Sequence, residues 1–383
     1  MSKKKKGYRY PWRCNNQFKL LIDGDAFFSA MLDSIENASD CILFETYLIN
    51  SGHITTRFID SFCAARKRGV RVYMLLDEYG CMELNTNDRK RLSDAGVEIL
   101  FYHPVKFLSP ATSLQRDHRK LLSVDNSVAY IGGAGITDEF TQEGNNIYWH
   151  DVMMQVIGPL VNDIDNSFYQ LWNRYIPGQF DIPVTTEESA ENCSNRARLL
   201  VAAGTEENEI LRATVKHIRS CQEKAWITSP YLISSWKLRR AIRHAARKGA
   251  DVRLLLPGPY SDHPWVSWGI QRYYTRMLKA GVRIYEYQPR FSHAKIILCD
   301  DWFTLGSSNL DRWNQLLNLD SNIEIYDSHC NQQIVHLFEE DFSNSKEVTL
   351  DNWKHRPLIQ HLREWIAGIA INILGYIGLK FKR

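Results

Sequence analysis

The sequence predicts an α/β protein made of two copies of one strand–helix unit. Three observations carry this. Strand-like apolar runs alternate with helical patterns, and the order of elements in residues 15–178 recurs in residues 195–345. With 44% hydrophobic and 24% charged residues, the 383-residue chain also has the material for packed cores rather than a disordered polymer.

The first copy opens on Phe18-Lys19-Leu20-Leu21-Ile22 and Gly24, the second on Arg198-Leu199-Leu200-Val201 and Gly204, and a helical pattern follows each. Ile42–Ile49 and Trp226–Ile233 supply a second strand. Arg66-Lys67-Arg68-Gly69 and Arg247-Lys248-Gly249 then read as basic helix ends closed by glycine, each leading into an apolar strand at Tyr73–Leu76 or Leu254–Leu256. Asp94-Ala95-Gly96-Val97-Glu98-Ile99 matches Lys279-Ala280-Gly281-Val282-Arg283-Ile284, and Pro104 matches Pro289. Such alternation predicts a largely parallel sheet in each copy. One loop differs: residues 105–117 stand opposite only Arg290, Phe291 and Ser292, and a longer loop at this point suits substrate entry. A basic N-terminal tail (1–14), a polar acidic linker (179–194) and an apolar, basic membrane-association segment (346–383) complete the division.

After its last matched strand each copy carries the same group of residues. The first is His118-Arg119-Lys120, four residues, then Asp125 and, further on, Gly132-Gly133; the second is His293-Ala294-Lys295, four residues, then Asp300 and Gly306-Ser307-Ser308-Asn309. On a strand, positions i and i+2 share a face, so each His and Lys can converge on one ligand. The residue types suit a phosphodiester. Lysine supplies fixed positive charge to anionic oxygens, a neutral histidine can attack phosphorus, and a second can protonate the departing alkoxide. Two motifs together place two of each around one phosphate, and that arrangement needs no metal.

These paired motifs resemble those of the phospholipase D superfamily over nearly the whole chain. Within it the resemblance is to the bacterial cardiolipin synthases, in the short form that lacks N-terminal membrane spans. It extends to Phe44-Glu45-Thr46-Tyr47, Leu76-Asp77-Glu78-Tyr79-Gly80, Asp138-Glu139-Phe140, Trp149-His150-Asp151-Val152 and Gly306-Ser307-Ser308-Asn309-Leu310-Asp311. The resemblance implies two α/β/α sandwich domains related by a pseudo-twofold axis, with the active site at their interface. It also implies a ping-pong reaction through a phosphohistidine, without cofactor or metal. His118 is then the nucleophile and His293 the general acid and later base, an order the near symmetry leaves open. Lys120, Lys295 and Asn309 hold phosphate oxygens, and Asp151 and Asp320 support the imidazoles. Asp125 and Asp300 belong to the motifs and brace them. Three departures stand out: Gly135 replaces an Asn, the second motif is one residue shorter before Gly306, and Asp320 replaces a Glu.

The implied reaction moves a phosphatidyl group from one phosphatidylglycerol to another, at the cytoplasmic face of a bacterial inner membrane. A formal net charge of only +3 argues against nucleic acid as partner. The Lys3–Lys6 run with Tyr8, Tyr10 and Trp12, together with Lys380, Lys382 and Arg383, suits an anionic membrane surface. Ile366–Leu379 is apolar apart from Asn372 but too short to span a bilayer core of roughly 30 Å. It reads as an in-plane anchor, extended upstream by Leu358, Ile359, Leu362 and Trp365, or as a helix packed on the domains. The eight scattered cysteines show no zinc-ligand spacing, and a reducing compartment is expected. The aromatic-rich stretch Tyr260–Tyr274, with Trp265, Trp268 and Tyr273, is a candidate pocket wall. His103, His150, His217, His244, His263 and His329 are expected to be structural or exposed. Two rival readings share these residues: a phosphodiesterase hydrolysing phospholipid or nucleic acid, and an inactive lipid-binding scaffold.

Overall fold

The computed structural model describes residues 8–103, 115–142, 148–182, 193, 195–203, 207–232, 235–311, 315, 317–364 and 366–369. The Lys3–Lys6 run, Pro104 and residues 105–114 of the longer loop, most of the 179–194 linker, Trp365 and residues 370–383 lie outside them.

A short β1 (Arg13–Cys14) precedes a first sheet of β2 (Gln17–Ile22), β3 (Cys41–Thr46), β4 (Arg71–Asp77), β5 (Glu98–Tyr102), β6 (Lys120–Val124), β7 (Val128–Gly132) and β8 (Val152–Ile157). The second sheet holds β9 (Arg196–Ala203), β10 (Glu207–Asn208), β11 (Lys224–Thr228), β12 (Asp251–Pro257), β13 (Arg283–Tyr287), β14 (Ile296–Cys299), β15 (Trp302–Gly306), β16 (Leu319–Tyr326) and β17 (Ser345–Val348). Their spatial orders are β2-β8-β7-β6-β3-β4-β5 and β9-β16-β15-β14-β11-β12-β13-β17, with β1 and β10 both on β9. Without β1, β10 and β17 the two orders correspond strand for strand, so the duplication read in the sequence is a duplication of topology.

The expectation of largely parallel sheets is corrected. Only β3-β4-β5 and β11-β12-β13 run parallel; the other pairings are antiparallel, because each motif strand turns straight back on itself in a hairpin. In the first hairpin Asp125 and Asn126 both take positive φ and Ser127 N–H donates to the Val124 carbonyl, a type I′ turn. The second joins Cys299 to Trp302 through Asp300 and Asp301 alone. That is where the missing residue of the second motif went.

Alternate residues of each strand face different layers. In β4, Val72, Met74 and Leu76 pack under the helices Asp23–Glu36 and His53–Lys67, while Tyr73 and Leu75 pack with Phe168 and Trp172 of the helix Leu160–Trp172. Phe58 and Phe62, one helical turn apart and fully buried, both meet Phe44 of β3. Burial of each such side chain contributes about 1.5–3 kcal/mol. A third cluster spans the two lobes: Leu121, Ile131 and Met154 of the first sheet share it with Leu199, Ile296, Phe303 and Ile323 of the second. The lobes therefore share a core rather than merely touching.

The N-terminal segment is part of that assembly, which corrects the reading of residues 8–14 as tail. Tyr10 and Arg13 are buried, and Arg13 makes a bidentate ion pair with Asp163 at 2.8 and 2.9 Å. Cys14 forms a disulfide with Cys193 across 179 positions, with Cα atoms 6.0 Å apart, a bridge that the expectation of a reducing compartment did not include. At the other end, residues 358–364 and 366–369 are helical. Buried Glu364 pairs there with Arg356 at 2.8 and 2.9 Å, and Gly368 lies so close to Arg272 that a Cβ would meet its Nη1 at 2.4 Å. Leu358, Ile359, Leu362 and Ile366 point outward, 86, 60, 55 and 54% exposed. No helix among the described residues is long and apolar enough to cross a membrane.

Candidate active site

The two lobes exchange backbone bonds at the motifs. His118 N–H donates to the Leu319 carbonyl at 2.9 Å, and Leu319 N–H to that of Arg116 at 2.9 Å. His293 N–H donates to the His150 carbonyl at 2.7 Å, and His150 N–H to that of Phe291 at 2.8 Å. Each motif is thus stitched to the residue just ahead of the other lobe's carboxylate. The side chains cross in the same way. Asp320 Oδ1 of the second lobe lies 3.0 Å from His118 Nδ1, and Asp151 Oδ2 of the first lies 2.6 Å from His293 Nδ1. An Nδ1–H donated to a carboxylate fixes the ring's tautomer and leaves Nε2 for chemistry.

His118, Lys120, His293 and Asn309 line a single cavity of about 620 Å3, walled on the aromatic side by Tyr47, Tyr79, Phe140, Trp149 and Tyr231. Tyr47 lies against His118 with ring centroids 5.0 Å apart. Lys120 Nζ donates to the His118 carbonyl at 2.7 Å, and Lys295 Nζ sits 2.9 Å from His293 Nδ1 and 3.7 Å from Asp151. Among the described residues no cluster of three His, Cys, Asp or Glu side chains could hold a metal ion. Lys120 and Arg116 are the lysine and arginine side chains among the residues lining the cavity.

Burial and like charge set the protonation states. Burial, then the neighbouring lysines and His293, hold His118 well below its usual range, and burial with Lys295 lowers His293 as well. Lys120 falls to about 7, from burial and then Lys295. Lys295 falls to about 8 through burial, against the pull of Asp151. The two supporting carboxylates diverge. Burial pushes Asp320 up to about 7, although the Ser307 hydroxyl donates to it at 2.9 Å. Burial also pushes Asp151 up, but Lys295, His293 and the Val152 N–H outweigh it and hold the carboxyl below its usual value.

Asp125 and Asp300 lie at the far ends of the motif strands, away from the cavity. Asp125 accepts the N–H groups of Ser39, Asp40 and Cys41, and Asp300 those of Gln222, Glu223 and Lys224, at 2.8–3.0 Å. Each ties the motif hairpin to the start of the neighbouring central strand. The Gly135 departure has a steric cause: a Cβ there would meet the Leu48 carbonyl oxygen at 2.6 Å, so an Asn does not fit unless that turn moves. The aromatic stretch after Tyr260 is partly corrected. Asp262 and His263 line the cavity, whereas Trp265 is 41% exposed and Trp268 lies under Arg363.

Other residues gained roles that pattern alone did not supply. Glu45 is fully buried on a central strand and pairs with Arg119, which also meets Asp117 at 3.2 Å. Arg119 thereby anchors the strand face opposite His118 and Lys120. His150 is buried between Asp23 at 2.7 Å and Asp341 at 3.3 Å, one from each lobe. Its place next to Asp151 in the chain was the available signal.

The model of the family described as "Cardiolipin synthase, PLD-like domain" matches residues 31–172 and 214–343, one stretch in each half. The chain belongs to this family. By that membership it is a phosphatidyltransferase of the phospholipase D superfamily. It is 30% identical over 373 residues to cardiolipin synthase A of Pseudomonas putida, covering 96% of this chain and 77% of that one. It is 29% identical over 366 residues to a cardiolipin synthase of Clostridium perfringens, covering 93% and 76%. A phosphatidylserine synthase structure from Haemophilus influenzae superposes with a TM-score of 0.76 at 14% identity, covering 96% and 97%, which speaks for the fold.

Proposed function

We propose that the protein makes cardiolipin from two phosphatidylglycerols through a phosphohistidine, releasing glycerol. The observation that carries this is the opposed pair of imidazoles on one cavity, each steered by a carboxylate of the other lobe. One phosphatidylglycerol presents its phosphate to Lys120, Lys295 and Asn309. The Nε2 of His118, kept neutral by burial and by the lysines, attacks phosphorus as the phosphorus–glycerol oxygen bond breaks. His293, whose imidazolium the ionised Asp151 favours, gives a proton to that oxygen and glycerol departs. The second phosphatidylglycerol then loses its hydroxyl proton to His293. Its oxygen displaces His118, and cardiolipin is released.

The divergence of the carboxylates supports this division of labour, since the anionic Asp151 suits the histidine that must carry a proton. The outward Leu and Ile stripe of residues 358–366 supports a bilayer as the surface on which the protein works. That helix packs on Pro264–Gln271, which begins right after the cavity residues Asp262 and His263. The stripe and the cavity rim are thus one helix apart.

Incubating the purified protein with head-group-labelled phosphatidylglycerol in mixed micelles tests the reading. Cardiolipin and free glycerol in equal amounts are expected, with turnover lost in both His118→Ala and His293→Ala. Phosphatidic acid as sole lipid product makes the protein a hydrolase instead, and absence of turnover favours the scaffold.

A further inference from the structure

We propose that Asp262 and Tyr231 form the head-group subsite of the cavity, accepting the uncharged polyol alcohol that leaves and enters at phosphorus. This rests on the transferase reading above and adds which end of the cleft takes which half of the lipid.

Two histidines and two lysines in near-symmetric array cannot by themselves tell the glycerol side of a phosphodiester from the diacyl side. The walls have to do so, and they are where the lobes differ. Tyr47 follows β3 as Tyr231 follows β11, and both line the cavity. Beyond this matched pair the symmetry fails. The segment after β4 brings Tyr79 to the cavity, with Arg116 over its ring at 5.9 Å; the longer segment after β12 brings Asp262 and His263. One wall therefore carries a guanidinium and the other a carboxylate.

The Asp262 side chain is 19% exposed at the cavity rim. The Tyr231 hydroxyl donates to its Oδ2, which turns the carboxylate and occupies one oxygen; Oδ1 accepts no hydrogen bond among the described residues. A carboxylate oxygen in that position repels phosphate and accepts from hydroxyl. It would also accept from an ammonium, and Asp311 adds a second carboxylate to the lining, but Lys120 on the lining, Lys295 behind it and Arg116 on the facing wall, itself paired with Asp77 at 3.4 Å, oppose a cationic head group. The balance favours a neutral alcohol with more than one hydroxyl, one to react and another to be held. The field of Asp262 is also among the influences that favour protonated His293 and Lys295, so the carboxylate faces the reacting centre.

The experiment is a competition within one reaction. The full-length protein, with phosphatidylglycerol as donor, is offered deuterated glycerol, 1-propanol and ethanolamine at equal concentration, and the labelled lipids are read by mass spectrometry. The wild type is expected to favour glycerol over both rivals. Asp262→Ala removes a hydrogen bond to a charged group and should lower the glycerol-to-propanol ratio about tenfold, about 1.4 kcal/mol. Tyr231→Phe should lower it less. A partly unfolded variant gives less product but the same ratio, so folding loss does not imitate the result. An unchanged ratio in Asp262→Ala, or a wild type that prefers ethanolamine, overturns the proposal while leaving the transferase reading intact. A wild type that yields only phosphatidic acid overturns both.

Discussion

On the proposed mechanism Lys120 and Lys295 act only while charged, yet burial, and for Lys120 also Lys295, lowers them to about 7 and about 8. The histidines are lowered too, so His118 stays neutral well into acid, as the proposed attack requires. kcat/KM reports the free enzyme. Because the general acid His293 is lowered as well, this ratio should begin to decline below the ordinary histidine value of about 6.5 and fall further as the lysines discharge at about 7 and about 8, rather than hold to the ordinary lysine range of about 10. A profile flat to about pH 9.5 would contradict the assignment. At this scale much was legible beforehand. His118, Lys120, His293, Lys295 and Asn309 announced themselves because spacing on a strand decides which side chains share a face. Asp151 and Asp320 were found as residues, but their crossing to the opposite lobe was not legible, since spacing along a chain says nothing of which lobe a carboxylate faces. Asp262 was hidden for a related reason: a single acidic residue in a loop has no periodicity, and only the fold brings it to the rim.

At the scale of elements, the strip around His150 joins the lobes. Burial pushes this imidazole down, but Asp23 and Asp341 outweigh it and raise it to about 10. A group whose folded pKa is raised contributes stability that is fully present below its unfolded value of about 6.5. That contribution is lost as pH rises through the folded value of about 10. Urea unfolding of His150→Gln should show a deficit of about 3–5 kcal/mol at acid to neutral pH, shrinking towards pH 10. A deficit independent of pH would exclude the charged pairing. The C-terminal helix makes a second prediction. Leu362→Glu with Ile366→Glu should cut co-sedimentation with anionic phosphatidylglycerol vesicles by about tenfold, the loss of about 1.4 kcal/mol, while the melting temperature holds. Both side chains point outward, so undiminished vesicle binding would remove the stripe from the membrane contact. The parallel-sheet expectation failed at this scale because strand–helix alternation accounts for β3, β4 and β5 but not for the hairpin strands that follow.

For the whole molecule, the shared core and the crossed bonds make the lobes one thermodynamic unit. Leu121 and Met154 pack with Leu199 and Phe303, and Arg13 reaches Asp163 from a strand that lies on β9. Calorimetry should give a single cooperative transition despite the internal repeat; two separable transitions would mean the lobes fold alone. The duplication was legible in the chain because equivalent elements keep their order. Their mutual dependence was not, because a contact between lobes leaves no periodic trace in either. That dependence has a historical side. With each imidazole governed by the other half's acid, an ancestor holding one copy of the unit could have completed this site only by pairing with its own twin.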